Sequence, residues 1–370
     1  MESLLDVTLN ILHDCGMRCG ANPAFDIRTV KRRVENEGES FLTITLPSFA
    51  EGLERALDER CWSPSSIPSF KQRRNGSCLP VFLRGFMDQI FHPDGSIIDE
   101  PSIEAIRSVR QICRAVGKLF MVCSDSRKRK SELRFVDVER DVRFHVVPQT
   151  LSDTFEQVSG IVWSDILRES HDCDSYAELR PRHGPGTTCE GIRGNSKFRF
   201  AEWPTRLERE FPFAEFGCAN ILNPDAMESL SRLTYVVPRE ERPVRVVSVP
   251  KTAKKSRVIA IEPVAMQYMQ QAISDWVRPR IEFRGRYTSG HVNFTSQEVN
   301  SNLARIGSMS GKYATIDLSD ASDRVSCRLV ARMLKVHPLF KRWVFATRST
   351  RAHLDNGMTI PLFKFASMGS

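Results

Sequence analysis

One stretch constrains this chain more than any other: Lys312-Tyr313-Ala314-Thr315-Ile316-Asp317-Leu318-Ser319-Asp320-Ala321-Ser322-Asp323-Arg324-Val325-Ser326. Its first half alternates faces and is rich in β-branched and aromatic residues, which predicts a short strand delivering Asp317 at its C-terminal edge. A polar turn follows, and Val325, Leu329, Met333 and Leu334 then recur at helical spacing. This order places a carboxylate at a strand end. A hard divalent cation such as Mg²⁺ takes oxygen ligands in an open site, which Asp317 with Asp320 or Asp323 one turn later can supply. The same aspartates would equally serve to cap the N-terminus of the helix.

Length and charge bound the rest. A chain of 370 residues exceeds one typical core, so two or three subdomains are expected, and 41% hydrophobic residues suffice to fold them. The formal net charge of +8 and the pI near 9.0 point to a polyanionic partner, nucleic acid or an anionic surface. No apolar run reaches the roughly eighteen residues that a membrane helix needs, and the N-terminus lacks a basic-then-apolar signal pattern, so a cytoplasmic protein is expected. The ten cysteines are scattered, with Cys15 and Cys19 the only close pair. They read as reduced, mostly buried thiols, since structural zinc calls for paired clusters.

Along the chain, Leu4 to His13 and Phe49 to Leu57 have helical spacing, whereas Phe41-Leu42-Thr43-Ile44-Thr45-Leu46, closed by Pro47, reads as β. Trp62 to Pro80 reads as a surface loop with a basic tip at Lys71 to Gly76. Residues 100–122 form an amphipathic helix pattern: Ile103, Ile106, Val109, Ile112, Cys113 and Val116 mark one face, and Arg107, Arg110, Arg114 and Lys118 the other. The run Ser126-Arg127-Lys128-Arg129-Lys130 is expected to be an exposed turn. Helical spacing resumes over 151–179. Then comes Arg180-Pro181-Arg182-His183-Gly184-Pro185-Gly186-Thr187-Thr188, whose glycines and threonines can cradle an anion but lack a P-loop ending. His183 is given no proton-transfer role.

Val244 to Glu262 carries two β-branched runs around a loop with Lys251, Lys254 and Lys255, and Arg257 opens the second run. This predicts a hairpin presenting cations suited to a triphosphate, arginine as a planar fork and lysine as a point charge. Pro263 then starts a helix with Met269, Ala272, Ile273, Trp276 and Val277 on its buried face.

Ser248-Val249-Pro250-Lys251 through Arg257-Val258-Ile259-Ala260-Ile261-Glu262-Pro263, then Ala314 to Asp323, then Ser367-Met368-Gly369, resemble in order and spacing the successive motifs of the replicases of leviviruses, positive-strand RNA bacteriophages. The loop at His183 to Gly186 and the helix bearing Arg110 and Gln111 resemble weaker landmarks of that family. The resemblance runs from about residue 180 to the end. It implies an RNA-directed RNA polymerase, a nucleotidyltransferase of α+β class with a right-hand architecture. Residues 1–175 would be a mainly helical region with fingers elements, 176–308 fingers with the basic hairpin 244–263, and 309–370 the palm core beginning at Asp317.

The resemblance further assigns roles. The aspartate matching Asp317 binds two Mg²⁺ ions for in-line phosphoryl transfer. Asp323 matches the residue that senses the ribose 2′-hydroxyl. Lys251, Lys254, Lys255 and Arg257 fall in the motif that neutralises the incoming triphosphate, and Ser367 and Gly369 match the loop that positions template and nascent pair. Implied partners are single-stranded RNA, ribonucleoside triphosphates, host translation elongation factors and a ribosomal protein, in the cytoplasm of a bacterial host.

Two departures accompany these matches. Ser370 stands where the family has asparagine, and the chain contains no Gly-Asp-Asp and no adjacent Asp-Asp pair. Two divalent ions need several carboxylates, so the expectation is an N-terminal replicase portion, without thumb or complete palm, inactive by itself. A non-catalytic RNA-binding protein with a polymerase-like fingers region is the alternative. A reverse transcriptase is a third reading, against which Asp323 argues.

Overall fold

The computed structural model describes residues 2–74, 76–119, 121–171, 176–218, 228 and 230–369; Cys173 and Ser370 lie outside them. Helices and short strands both contribute, consistent with the α+β expectation. The chain divides into two compact units, one of residues 1–131 with 248–257, the other of residues 132–247 with 258–370.

The first unit is built on helices α1 (Glu2–Cys19), α2 (Ala24–Glu37), α3 (Leu46–Asp58), the short α4 (Arg84–Met87) and α5 (Ile103–Arg114). Its core is aromatic: the Phe49 ring lies 5.6 Å from Trp62, 5.0 Å from Phe70 and 5.6 Å from Phe82, largely edge to face. Helix α5 is the amphipathic helix read from the sequence, but it is shorter than the 100–122 pattern: it ends at Arg114, and Val116 and Lys118 lie in the turn that follows. Ser102 caps it by accepting the Ala105 N–H at 3.1 Å, and Val109, Ile112 and Cys113 are buried. Ile103, assigned to the same face, is 66% exposed in the first turn. The basic stripe is partly paired, since Arg110 and Arg114 both donate to Glu54 on α3.

Two local expectations fail in this region. The β-like run Phe41–Thr45 is a turn of π-helix that continues into α3, where Pro47 occupies the first turn. Its side chains meet a helical core from several sides, Phe41 and Leu42 being fully buried, and Thr43 returns its hydroxyl to the Glu39 carbonyl at 2.8 Å. Strand propensity without a partner strand yields to this burial. Likewise the basic run 126–130 is helical, inside α6 (Asp125–Phe144). Lysine and arginine are good helix formers, and Lys128 pairs with Asp125 one turn back.

The second unit contains most of α6, α7 (Gln149–Leu167), a parallel pair of β1 (Glu202–Pro204) with β2 (Thr234–Val236), and the helices Val264–Pro279, Glu298–Ser310, Cys327–Met333 and Pro338–Thr347. A four-stranded sheet has the order β4-β3-β5-β6, made by β3 (Val244–Pro250), β4 (Ser256–Ile261), β5 (Arg351–His353) and β6 (Thr359–Pro361). Strand β3 pairs in parallel with β5, Val244 opposite Ala352, and β5 pairs antiparallel with β6, Ala352 opposite Ile360. A parallel neighbour demands a long crossover, which the helices between β4 and β5 provide. Val244 and Val246 point inward and Arg245 outward, the period of a half-buried strand. Pro263 starts the Val264–Pro279 helix as expected, and Trp276 is core, stacked 4.0 Å from the Arg280 guanidinium.

The first unit carries one buried acid. Asp26, 3% exposed, accepts the Leu83 N–H at 2.7 Å, and Leu83 holds a left-handed φ of 56°. Burial raises its carboxyl from 3.8 to about 6. The folded chain therefore keeps a proton that the unfolded chain has lost. The associated stability is complete below the unfolded value and is lost as pH rises to about 6. Asp26→Asn, whose amide oxygen still accepts from Leu83, should abolish this slope and raise the unfolding midpoint at pH 7.5, with an upper bound of about 3 kcal/mol. Denaturation followed by circular dichroism between pH 4 and 8 checks it; identical profiles for both proteins would contradict the assignment.

Candidate functional site

The segment from Lys312 to Leu318 does not form the expected strand. It belongs to no sheet, and Ile316 and Leu318 are 80% and 70% exposed. The pattern supplied β propensity, yet a strand exists only by pairing, and no strand among the described residues lies beside it. Asp317 is consequently an exposed carboxylate with no hydrogen bond or ion pair among the described residues. The helix predicted after the turn is present as Cys327–Met333. Its cap is Ser326, whose Oγ accepts the Leu329 N–H at 3.0 Å, and not one of the aspartates.

The other two aspartates are committed. Asp320 adopts a left-handed φ of 55° in the turn, and its carboxylate accepts from Arg134 at 3.0 Å. Asp323 sits in a short 3₁₀ turn, Ser322–Arg324, and its Oδ1 accepts from the Lys364 ammonium at 2.8 Å. Lys364 is fully buried. Its Nζ stands 3.3 Å over the Phe135 ring and 3.6 Å from Glu139 Oε1. Glu139 Oε2 in turn accepts the backbone N–H groups of Phe363 and Lys364 at 2.7 and 3.3 Å.

Helix α6 is thus the support of this turn. Arg134 holds Asp320, Phe135 and Glu139 hold Lys364, Asp141 pairs with Arg324 at 3.7 Å, and the Arg143 carbonyl accepts from Arg328. Sequence reasoning missed both Glu139 and Lys364. The signal was available: Glu139 is an acid on the stripe Phe135-Val138-Val142, and Lys364 stands between Phe363 and Phe365.

The turn and the C-terminal segment are joined through their backbones. Cys327 N–H donates to Phe363 O at 2.9 Å, and Phe365 N–H donates to Val325 O at 2.7 Å. Arg348 clasps the same segment, donating to the carbonyls of Leu362, Lys364 and Phe365. Further along, the Met368 carbonyl accepts the Ala260 N–H from β4 at 2.9 Å. Gly369 has φ +99°, and a Cβ there would stand 2.8 Å from the Ala260 carbonyl oxygen, so only glycine fits without movement. Ser367 is 5% exposed, and its hydroxyl has no hydrogen-bond partner among the described residues. Asp323 and the Ser367–Gly369 loop, which the sequence placed in two separate motifs, therefore share one hydrogen-bonded frame within the second unit.

The hairpin predicted over 244–263 is present as β3 and β4, and its tip belongs to the first unit. There Lys254 is paired with Glu51 at 3.2 Å, the Cys123 thiol donates to the Thr252 carbonyl, and Arg127 donates to the Ala253 carbonyl. Lys251, Lys255 and Arg257 are exposed and unpaired among the described residues. Three of the four expected cations thus remain available to an anion.

In the 180–188 loop, His183 is enclosed by Phe198, Phe200 and Tyr268, and burial lowers it from 6.5 to about 4, so it is neutral at ordinary pH.

The chemistry of the aspartate set does not suit a pair of divalent ions. Among the described residues no three histidine, cysteine, aspartate or glutamate side chains gather around one point. Asp320 and Asp323 already neutralise cations, which leaves Asp317 alone, and a hard ion requires more oxygen ligands than one carboxylate offers. The residues present do not compose the two-ion site that the resemblance implies.

Residues 219–370 match the family described as RNA replicase, beta-chain. The RNA-directed RNA polymerase subunit beta of Qbeta virus (strain MX1) is 28% identical over 187 residues, 50% of this chain and 29% of that protein. The RNA-directed RNA polymerase beta chain of Escherichia phage MS2 is 35% identical over 125 residues, 34% of this chain and 21% of that protein. That of Enterobacteria phage GA is 40% identical over 90 residues, 24% and 16% respectively. The matched stretches thus span less than a third of these relatives. Over its C-terminal two fifths, where the aspartate turn, Lys364 itself and both strands of the hairpin lie, this chain is similar to the RNA replicase beta-chain family.

Proposed function

We propose that this chain serves template-directed ribonucleotidyl transfer, the RNA-directed RNA polymerisation that replicates a positive-strand RNA phage genome. The observation that carries the reading is the frame shared by the turn bearing Asp323 and the segment leading to the Ser367–Gly369 loop, both within the stretch similar to replicase beta chains. In this reading Lys251, Lys255 and Arg257 neutralise the triphosphate and contact the RNA backbone, with Lys254 set aside by Glu51. Asp323 accepts the ribose 2′-hydroxyl, Ser367 and Gly369 position the template and nascent pair, and Asp317 contributes one carboxylate to metal binding. The fingers and palm division, Mg²⁺ as the ion, and host elongation factors and a ribosomal protein as further subunits belong to the same reading. No helix among the described residues is long and apolar enough to cross a membrane.

A non-catalytic RNA-binding protein is the second reading. It is favoured by one observation, that two of the three clustered aspartates are occupied by Arg134 and Lys364. Triphosphate binding separates the two. The polymerase reading expects the chain to bind a fluorescent ribonucleoside triphosphate, and Lys251→Glu with Arg257→Glu to weaken it at least tenfold, each lost ionic contact costing about 1 kcal/mol or more. Retained RNA affinity with no triphosphate binding by the unmodified chain would establish the second reading instead.

For RNA, fluorescence anisotropy with a single-stranded oligonucleotide should show sequence-tolerant binding that weakens steeply with salt. Replacing Lys251, Lys255 and Arg257 together by glutamine should lower the slope of log K against log salt by about 2, near 0.7 per contact. An unchanged slope would remove the hairpin tip from the interface. With one uncommitted carboxylate, the chain alone is expected to give no metal-dependent incorporation in primer extension; incorporation abolished by Asp317→Ala would refute this.

A further inference from the structure

We propose that Lys364 is the positioning residue that sets ribose selectivity, by fixing Asp323 with one carboxylate oxygen anchored and the other presented to the sugar. This rests on the reading above, in which Asp323 meets the ribose.

The geometry begins with the burial of Lys364. An ammonium with no exposed surface loses its hydration and needs compensation from fixed neighbours. Phe135 supplies a π face at 3.3 Å and Glu139 an oxygen at 3.6 Å, while the closest oxygen, at 2.8 Å, belongs to Asp323. Two of the three groups around the ammonium come from α6, and Glu139 is itself fixed by the backbone N–H groups of Phe363 and Lys364. The ammonium therefore has a set position that does not depend on Asp323. Asp323, on a short exposed turn, takes its orientation from the ammonium.

The contact engages Oδ1 alone. A carboxylate offers about four acceptor positions, so Oδ2 retains its capacity for a hydroxyl donor. The side chain is 21% exposed, enough for one oxygen to be reached from solvent. Lys364 lies three residues before Ser367, and the 363–365 segment is hydrogen-bonded to 325–327 on both sides of the lysine. The group that orients the ribose acceptor is consequently on the same strand-like segment as the loop ascribed to nascent-pair placement. Lys364 does not touch the nucleotide; it acts through Asp323.

The experiment compares equilibrium binding of ATP and dATP by the full chain, by Asp323→Ala, and by Lys364→Met combined with Glu139→Gln. The combined substitution removes both fully buried charges at once, and the side-chain oxygen of the introduced glutamine still accepts the Phe363 N–H; the charge it leaves without its cation is Asp323, whose side chain is 21% exposed and reaches water. Circular dichroism and the thermal midpoint establish that it folds. The unmodified chain should prefer ATP by roughly tenfold or more, the range of a hydrogen bond to a charged group. The double variant should lose that preference, with dATP affinity unchanged, and adding Asp323→Ala to it should change the ratio no further. A folded double variant that keeps the unmodified preference overturns the role of Lys364 while leaving the proposed function intact. If the unmodified chain binds both nucleotides equally, or neither, the reading of Asp323 falls and this inference falls with it.

Discussion

A single buried ammonium holds the described site together. Lys364 has no water to solvate it, so Glu139, Phe135 and Asp323 must converge on it, and that convergence ties α6, the aspartate turn and the C-terminal segment to one point. Removing one partner of such a cluster leaves an uncompensated charge, which is far more costly than replacing the whole cluster by apolar groups. The cluster therefore specifies geometry more than it supplies net stability. Arg134, Asp141 and the Arg143 carbonyl repeat the pattern at lower cost along the same helix, each reaching a residue of the 320–328 stretch.

The same electrostatics decides which acids are free. Asp317, Asp320 and Asp323 look equivalent as three aspartates in a polar turn, yet two already face cations and one does not. At the hairpin tip the pattern reverses, with Glu51 withdrawing Lys254 and leaving Lys251, Lys255 and Arg257. Once these pairs are formed, the turn leaves the Asp317 carboxylate uncommitted, and the tip leaves three cations. That surplus, more than the count of charged residues in the sequence, is what a ligand meets.

Periodicity made the helices legible, and the β-branched runs made the arms of the hairpin legible. Val109, Ile112 and Cys113 on α5, Met269 and Trp276 after Pro263, and the two arms of the hairpin all lie where their spacing placed them. The failures share a cause. Phe41–Thr45 and Tyr313–Leu318 both carry strand-forming residues, but strand formation depends on a neighbour that local sequence does not reveal. One run was absorbed into a helical core as a π turn, and the other was left outside any sheet. The supporting charges were harder still, because Glu139 and Lys364 lie 225 positions apart and signal themselves only as polar residues in apolar surroundings.

The unpaired segment around Ile316 also bears on how the protein behaves when concentrated. Its backbone donors and acceptors are unsatisfied by any sheet among the described residues, and its Tyr313, Ile316 and Leu318 side chains are turned to water. Such an edge is an open valence. Any strand that arrives first will complete it, and in concentrated solution the most abundant candidate is the same segment of another copy. Self-association through this edge would bury Asp317 in the process.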